Sequence, residues 1–171
     1  MQIQETNLSG VLLITPQVFE DHRGEYIELY NEAIFQENGI NVRFVQDDIS
    51  ISSINVLRGI HSDKATWKLV SCLLGRFYLV IVNCIENSPG FGQWFSTTLS
   101  ERSRQMVLVP PGHGVAHLAL TDRIIFHYKQ STYYNPSNQA TYKYDDPRLK
   151  IWWPNVKPIL SRRDQEGRYV D

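Results

Sequence analysis

Residues 68–85 read KLVSCLLGRFYLVIVNCI. Two runs rich in β-branched and aromatic residues, 68–74 and 77–85, flank Gly75-Arg76, and together they predict a hairpin with a glycine-bearing turn. The second run is apolar but for Asn83, as expected of a strand buried on both faces in a sandwich core. Working outward, similar short runs recur between turn signals. Upstream lie residues 11–14, then 25–30 after the turn Asp21-His22-Arg23-Gly24, then 42–53, whose partial alternation reads as a half-buried strand. Downstream, 92–99 and 105–109 read as a strand pair broken at Pro110-Pro111-Gly112. Residues 115–120 and 124–130 read as a hairpin through Thr121-Asp122. Residues 31–38 are the best helix candidate, ending at Gly39. Beyond Asn135 the chain turns polar, with a turn at Asp145-Asp146-Pro147 and a packed anchor at Ile151-Trp152-Trp153-Pro154. The expected fold is all-β, a jelly-roll sandwich with a few short helices, whose mouth can hold a small molecule.

A chain of 171 residues predicts one domain, 1–171, with enough length to bury a core. Hydrophobic residues make up 42% and charged residues 20%, so a soluble globular protein is expected. A net charge of −1 offers no electrostatic attraction for nucleic acid or an anionic membrane. Cys72 and Cys84 lie in apolar runs without C-x-x-C spacing and read as buried free thiols, a single disulfide being the alternative. The absence of a long apolar stretch or a signal-like N-terminus points to the cytoplasm.

The chemistry centres on Asn55-Val56-Leu57-Arg58-Gly59-Ile60-His61, with Lys68 a short connection further on. A neutral imidazole beside a fixed cation suits removal of a proton next to a carbonyl, the cation holding the enolate oxygen. Taken alone, His61 can equally be a packed turn residue and Lys68 a surface charge. His61, His113 and His117 form a conceivable metal set, but histidines four apart on a strand lie far from each other, and no metal is expected. Tyr128 and Tyr134 can act as a proton donor and a stacking platform, or simply as strand residues. Arg23 and Arg58, each followed by glycine, can fork onto phosphate or form structural ion pairs. No nucleophile elbow, phosphate-binding loop or dinucleotide fingerprint is present.

Taken in order, these segments resemble the dTDP-4-dehydrorhamnose 3,5-epimerase family. The resemblance is carried by Asp21-His22-Arg23-Gly24 with Glu28, QDDISISSINVLRGIH (46–61), Lys68-Leu69-Val70 and Ser88-Pro89-Gly90-Phe91-Gly92-Gln93-Trp94. It continues through Val109-Pro110-Pro111-Gly112, YKQSTYYNP (128–136), Asp145-Asp146-Pro147, Ile151-Trp152-Trp153-Pro154 and Leu160-Ser161-Arg162-Arg163-Asp164. It implies a cupin-type jelly roll acting as a homodimer, without metal or organic cofactor, on a dTDP- or GDP-linked sugar. By position it implies His61 as base, Asp164 as its partner, Lys68 as the enolate's cation and Tyr128 as the acid on the opposite face. Arg23, Tyr26, Glu28, Gln46, Arg58, Tyr134, His117 and Arg163 are implied around the nucleotide sugar.

Three departures bear on the substrate. The 62–67 loop is short, Leu79 and Asn83 replace aspartates, and Ala-His-Gly-Phe is replaced by Gly114-Val115-Ala116-His117, which puts valine where the pattern has its second histidine. The Arg-Gly-Ile-His (58–61) and Lys-Ala-Thr-Trp-Lys-Leu (64–69) segments, with Gly114-Val115-Ala116-His117, resemble branches acting on other 4-keto-6-deoxy sugars, including GDP-linked 6-deoxy-heptoses. The expected activity is epimerisation at carbon 3, carbon 5 or both. A 3,4-ketoisomerase and a non-catalytic sugar-nucleotide binder are the alternatives.

Overall fold

The computed structural model describes residues 1–154 and 157–170. Two antiparallel sheets face each other. One contains β1 (Gln2–Glu5), β2 (Leu12–Thr15), β10 (Met106–Val109), β7 (Lys68–Leu74), β12 (Arg123–Gln130) and β5 (Gln46–Ser53), in that spatial order. The other runs β13 (Gln139–Thr141), β6 (Leu57–Asp63), β11 (His113–Ala119), β8 (Arg76–Asn83) and β9 (Trp94–Ser100). A separate hairpin joins β3 (Val18–Asp21) to β4 (Gly24–Ile27) through the expected turn. The helices are α1 (Glu32–Glu37) and α2 (Arg162–Gln165), with a 3-10 turn at Pro136–Asn138.

The jelly-roll sandwich is as expected, but three strand pairings are not. β7 and β8 do not form a hairpin: β7 pairs with β10 and β12, whereas β8 pairs with β9 and β11. Nor do β9 and β10 pair, and β11 and β12 belong to opposite sheets. The reason is the same each time. A corner where the chain crosses between sheets needs the same sharp turn as a hairpin, so the local sequence is alike. Gly75 is such a corner, with φ +74°, and a Cβ there would collide with the Arg123 carbonyl.

β8 is buried on both faces. Phe77, Leu79 and Ile81 face the space between the sheets, where they meet Val70, Cys72, Val107 and Ile124. Tyr78, Val80 and Val82 face outward beneath Tyr142, Leu149, Trp153 and Leu160 of the C-terminal segment. Each fully buried large side chain contributes about 1.5–3 kcal/mol relative to exposure. The Ile151–Pro154 anchor is packed in part: Trp153 donates from its indole to the Tyr144 carbonyl (2.9 Å), while Trp152 is largely exposed against the edge of Tyr78.

α1 begins where Asn31 accepts from the Ala33 amide (3.1 Å) and ends before Gly39 at φ +83°. Its Phe35 packs with Ile40, Leu69 and Met106 on the outer face of the six-stranded sheet. Cys72 and Cys84 are free and buried, and burial pushes their thiols up to about 12 and about 11. Among the described residues no helix is long and apolar enough to cross a membrane.

The alternation of β5 runs opposite to expectation. Asp47, Ile49 and Ile51 point outward and are exposed, while Asp48, Ser50 and Ser52 turn toward the facing sheet. Its regular part also starts later, at Gln46 rather than residue 42. The polar inner face exists because the sandwich does not close at this end. It opens into a pocket.

Candidate active site

A cavity of about 190 Å³ lies between the sheets, lined by Ser50, Arg58, His61, Lys68, Val115, His117, Phe126, Tyr128, Gln130, Tyr134, Gln139 and Arg163. Seven of the twelve residues expected at the site line this one cavity, and an eighth, Asp164, stands directly behind His61.

His61 is set by the Arg-Gly-Ile-His segment on β6. Gly59 has φ +121°, and a Cβ there would collide with the backbone of Val115 and Ala116 on β11, so only glycine lets the two strands approach. The β6–β11 register shifts across this point. Asp164 closes the arrangement from α2. Its Oδ1 lies 2.7 Å from His61 Nε2 and also accepts from the Gly59 amide (3.2 Å), while its Oδ2 accepts from Ser161 Oγ (2.6 Å). Burial alone would raise this carboxyl, but the hydrogen bonds from His61, Ser161 and Gly59 outweigh it and hold the pKa at about 2. Nε2 is therefore the protonated nitrogen of the neutral ring, leaving Nδ1 as its basic atom.

Lys68 and Tyr128 come from the opposite sheet. Lys68 lies across from Gln130, two residues along β12 from Tyr128 and on the same face. Burial lowers the Lys68 pKa below its usual range; the field of Asp63 opposes this and that of Arg163 adds to it. Burial, then Asp48 and Tyr134, raise the Tyr128 phenol, against Arg58. Tyr128 thus stays protonated at neutral pH, as a proton donor must. Arg58 donates from Nε to Ser52 Oγ (3.0 Å), and Arg163 from Nε to Thr141 Oγ1 (2.9 Å), which steadies both guanidiniums at the mouth.

Gln46 does not line the cavity. It supports it: its Oε1 accepts from the Tyr134 amide (2.8 Å) and its Nε2 donates to Asp48 (2.8 Å). Arg23, Tyr26 and Glu28 are not brought to the pocket within one chain. Arg23 pairs with Asp21 (2.7 Å) at the tip of the β3–β4 hairpin, Tyr26 is 67% exposed beside Phe19, and Glu28 accepts from Asn31 (3.2 Å). His113 is buried away from the cavity, its Nδ1 3.3 Å from the Pro111 carbonyl, and no group of three His, Cys, Asp or Glu suited to a metal ion occurs among the described residues.

Sequence reasoning passed over Ser50, Gln130, Gln139 and Asp63. Gln130 is buried and donates to Asp48 (2.7 Å), and Gln139 donates to Asp63, whose Oδ1 also accepts from the Ala65 (2.9 Å) and Thr66 (3.1 Å) amides. A signal for Gln130 existed, since it shares the face of Tyr128 two residues away.

Residues 5–171 match the profile of the dTDP-4-dehydrorhamnose 3,5-epimerase family. A dTDP-4-dehydrorhamnose 3,5-epimerase from Methanothermobacter thermautotrophicus is 41% identical over 169 residues, covering 96% of this chain and 91% of that protein. A dTDP-4-dehydrorhamnose 3-epimerase from Streptomyces niveus is 34% identical, covering 98% and 83%. The crystal structure of dTDP-6-deoxy-D-glucose-3,5-epimerase from Legionella pneumophila, in complex with dTDP-4-keto-L-rhamnose, superposes with a TM-score of 0.94 at 34% identity, covering 99% of this chain and 92% of that one. A histidine–carboxylate dyad facing a lysine and a tyrosine across a jelly-roll pocket thus sits in a chain that belongs to the dTDP-4-dehydrorhamnose 3,5-epimerase family and is an isomerase.

Proposed function

We propose that the pocket takes the sugar of a nucleoside-diphosphate 4-keto-6-deoxy sugar, dTDP- or GDP-linked, and inverts carbon 3, carbon 5 or both through an enolate. His61 Nδ1 removes the proton from a carbon beside the carbonyl. The C–H electrons form the C=C bond, and the carbonyl oxygen takes the negative charge against Lys68. Tyr128 then delivers a proton to the opposite face of the same carbon, and the carbonyl reforms. His61 loses its proton to solvent and Tyr128 regains one, so the reaction is an isomerisation with no net redox change. Asp164 orients the imidazole and stabilises its charged form.

The observation that carries this reading is that His61 and Tyr128 line one pocket from facing sheets. A base and an acid on opposite walls suit inversion, whereas a 3,4-ketoisomerase needs proton transfer along one face only. A cavity of about 190 Å³ is smaller than the roughly 300–1,000 Å³ of typical small-molecule sites. It suits the sugar, with the diphosphate outside near Arg58 and Arg163 and an aromatic ring, Tyr134, available for stacking.

A homodimer is part of the proposal. The hairpin bearing Arg23 and Tyr26 exposes Val18 and Phe19, and β5 exposes Ile49 (58%) and Ile51 (48%). Covering these surfaces with a second copy gives the hairpin a route to a neighbouring pocket. The two free thiols fit a reducing cytoplasm.

The test is incubation with dTDP- and GDP-linked 4-keto-6-deoxy sugars in deuterated water, followed by NMR. Deuterium at carbon 3 or 5 together with inversion is expected. A product with its carbonyl at carbon 3 would replace this reading with ketoisomerisation, and absence of exchange from every sugar would leave only binding.

A further inference from the structure

The pocket contains a second imidazole that the mechanism does not use. Val115, whose backbone pairs with that of His61, presents an apolar side chain to the cavity. His117, two residues further along β11 and on the same face, lines the cavity too. Its ring lies flat on Phe126, with centroids 4.0 Å apart and planes 9° from parallel, and Phe77 packs at 5.4 Å. It is 4% exposed. Among the described residues, its Nε2 is the one buried side-chain nitrogen or oxygen with no hydrogen-bond partner. Such orphans are uncommon, because an apolar ring of the same shape would fill the site without losing a hydrogen bond. Phenylalanine would keep the whole stack.

Burial first, then the charges of Arg58 and His61, lower the His117 pKa to about 3 against the pull of Asp164. The ring is therefore neutral at physiological pH, with one donor and one acceptor. That is the complement of a hydroxyl. It does not suit a developing enolate, which Lys68 serves, and as a base a ring held so low is far weaker than an ordinary imidazole.

We propose that His117 is a specificity-determining residue, exchanging a hydrogen bond with a ring hydroxyl of the sugar, at carbon 2 or carbon 3. The inference rests on the epimerase reading above and names the contact by which this pocket distinguishes among 4-keto-6-deoxy sugars.

The experiment compares wild type, His117→Phe and His117→Gln on whichever of dTDP- or GDP-linked 4-keto-6-deoxyglucose the wild type turns over, and on its 2-deoxy and 3-deoxy analogues. Phe keeps the stack and removes the nitrogens, so kcat/KM on the hydroxylated sugar should fall by roughly tenfold to a hundredfold, with thermal stability kept. Gln should restore part of the loss. On one of the two deoxy analogues, wild type and His117→Phe should agree within about twofold, which also identifies the hydroxyl. An unchanged kcat/KM in His117→Phe overturns the proposal. So does an equal loss on both deoxy analogues, which would make the ring a packing element or a water site. Should both variants fail to fold, the wild type still decides. Its His117 ¹⁵N resonances should shift on binding the non-reactive nucleotide-linked 6-deoxyglucose, and less with the matching deoxy ligand; equal shifts would refute the contact. Failure of the wild type to exchange deuterium into any sugar would refute the epimerase reading instead, a result separate from any difference between variants.

Discussion

Strands β8 and β5 are each eight residues long and obey burial in opposite senses. In β8 both faces are apolar and both are covered, one by the facing sheet and the other by the C-terminal segment. In β5 the isoleucines face outward, while Asp48, Ser50 and Ser52 turn inward with Gln130 and Tyr128 of the neighbouring strand. The contrast divides the sandwich into a dry half that supplies stability and a wet half that supplies chemistry. Polar residues pointing inward mark the site, and apolar residues pointing outward mark a surface that needs a cover.

The largest expected effects come from breaking the wet half at its two charge-handling residues. His61→Asn should abolish deuterium exchange and inversion together, by at least the hundredfold to ten-thousandfold associated with a lost general base. Lys68→Ala should do the same, because the enolate loses its counter-charge in a buried setting. Both are read in one NMR time course, and a variant that retained near-normal exchange would remove that residue from the mechanism.

Tyr128→Phe should separate two events that the first pair suppresses together. The base remains, so deuterium should still enter the sugar, while inverted product falls by roughly a hundredfold or more. An unchanged ratio of exchange to inversion would leave Tyr128 as packing on Phe126.

The outer face of β5 offers a smaller and different break. Ile49→Lys with Ile51→Lys should leave each chain folded, because neither side chain is buried within it. Light scattering should show the double variant at about 20 kDa, the mass of one chain, and the wild type at twice that. A wild type that already runs as a monomer would show that these isoleucines have no cover.

The smallest effect is on stability. Asp164 has a folded pKa of about 2 against an ordinary 3.8, so its ionised form favours the folded state. That contribution is complete above about pH 4 and is lost as pH falls toward 2. Urea midpoints of wild type and Asp164→Asn should therefore converge across that interval. A constant gap would mean that the Asn variant loses packing rather than a charge.

Much of the wet half was legible in the sequence because histidine, lysine, tyrosine and arginine are conspicuous residue types. His61, Lys68, Tyr128, Tyr134, Arg58, His117 and Arg163 all line the cavity. Glutamine, serine and aspartate are common on surfaces, and so Gln130, Gln139, Ser50 and Asp63 passed unnoticed. Alternation along β12 held the missing information for Gln130, while for Ser50 the alternation of β5 misled, since isoleucines ordinarily point inward. Strand positions were readable from composition, but pairings were not. Gly75 and Thr121-Asp122 turn the chain between sheets with the same residue types that close a hairpin, and only long-range packing decides between them. The β3–β4 hairpin carries a recognisable motif and yet stands apart from the pocket, because motif order in sequence carries no information about where a side chain lies in space.

The pairing of His61 with Asp164 has a consequence in time. The two residues are 103 positions apart, so a ribosome working at about 5–20 residues per second makes the imidazole some five to twenty seconds before its carboxylate. Every strand that walls the cavity has been made by then, since β13 ends at Thr141. Assembly of the walls and completion of the dyad are therefore separable events in the life of each molecule. The second depends on the docking of one four-residue helix, whose release by a protease nick or a local opening would undo the dyad while leaving both sheets standing.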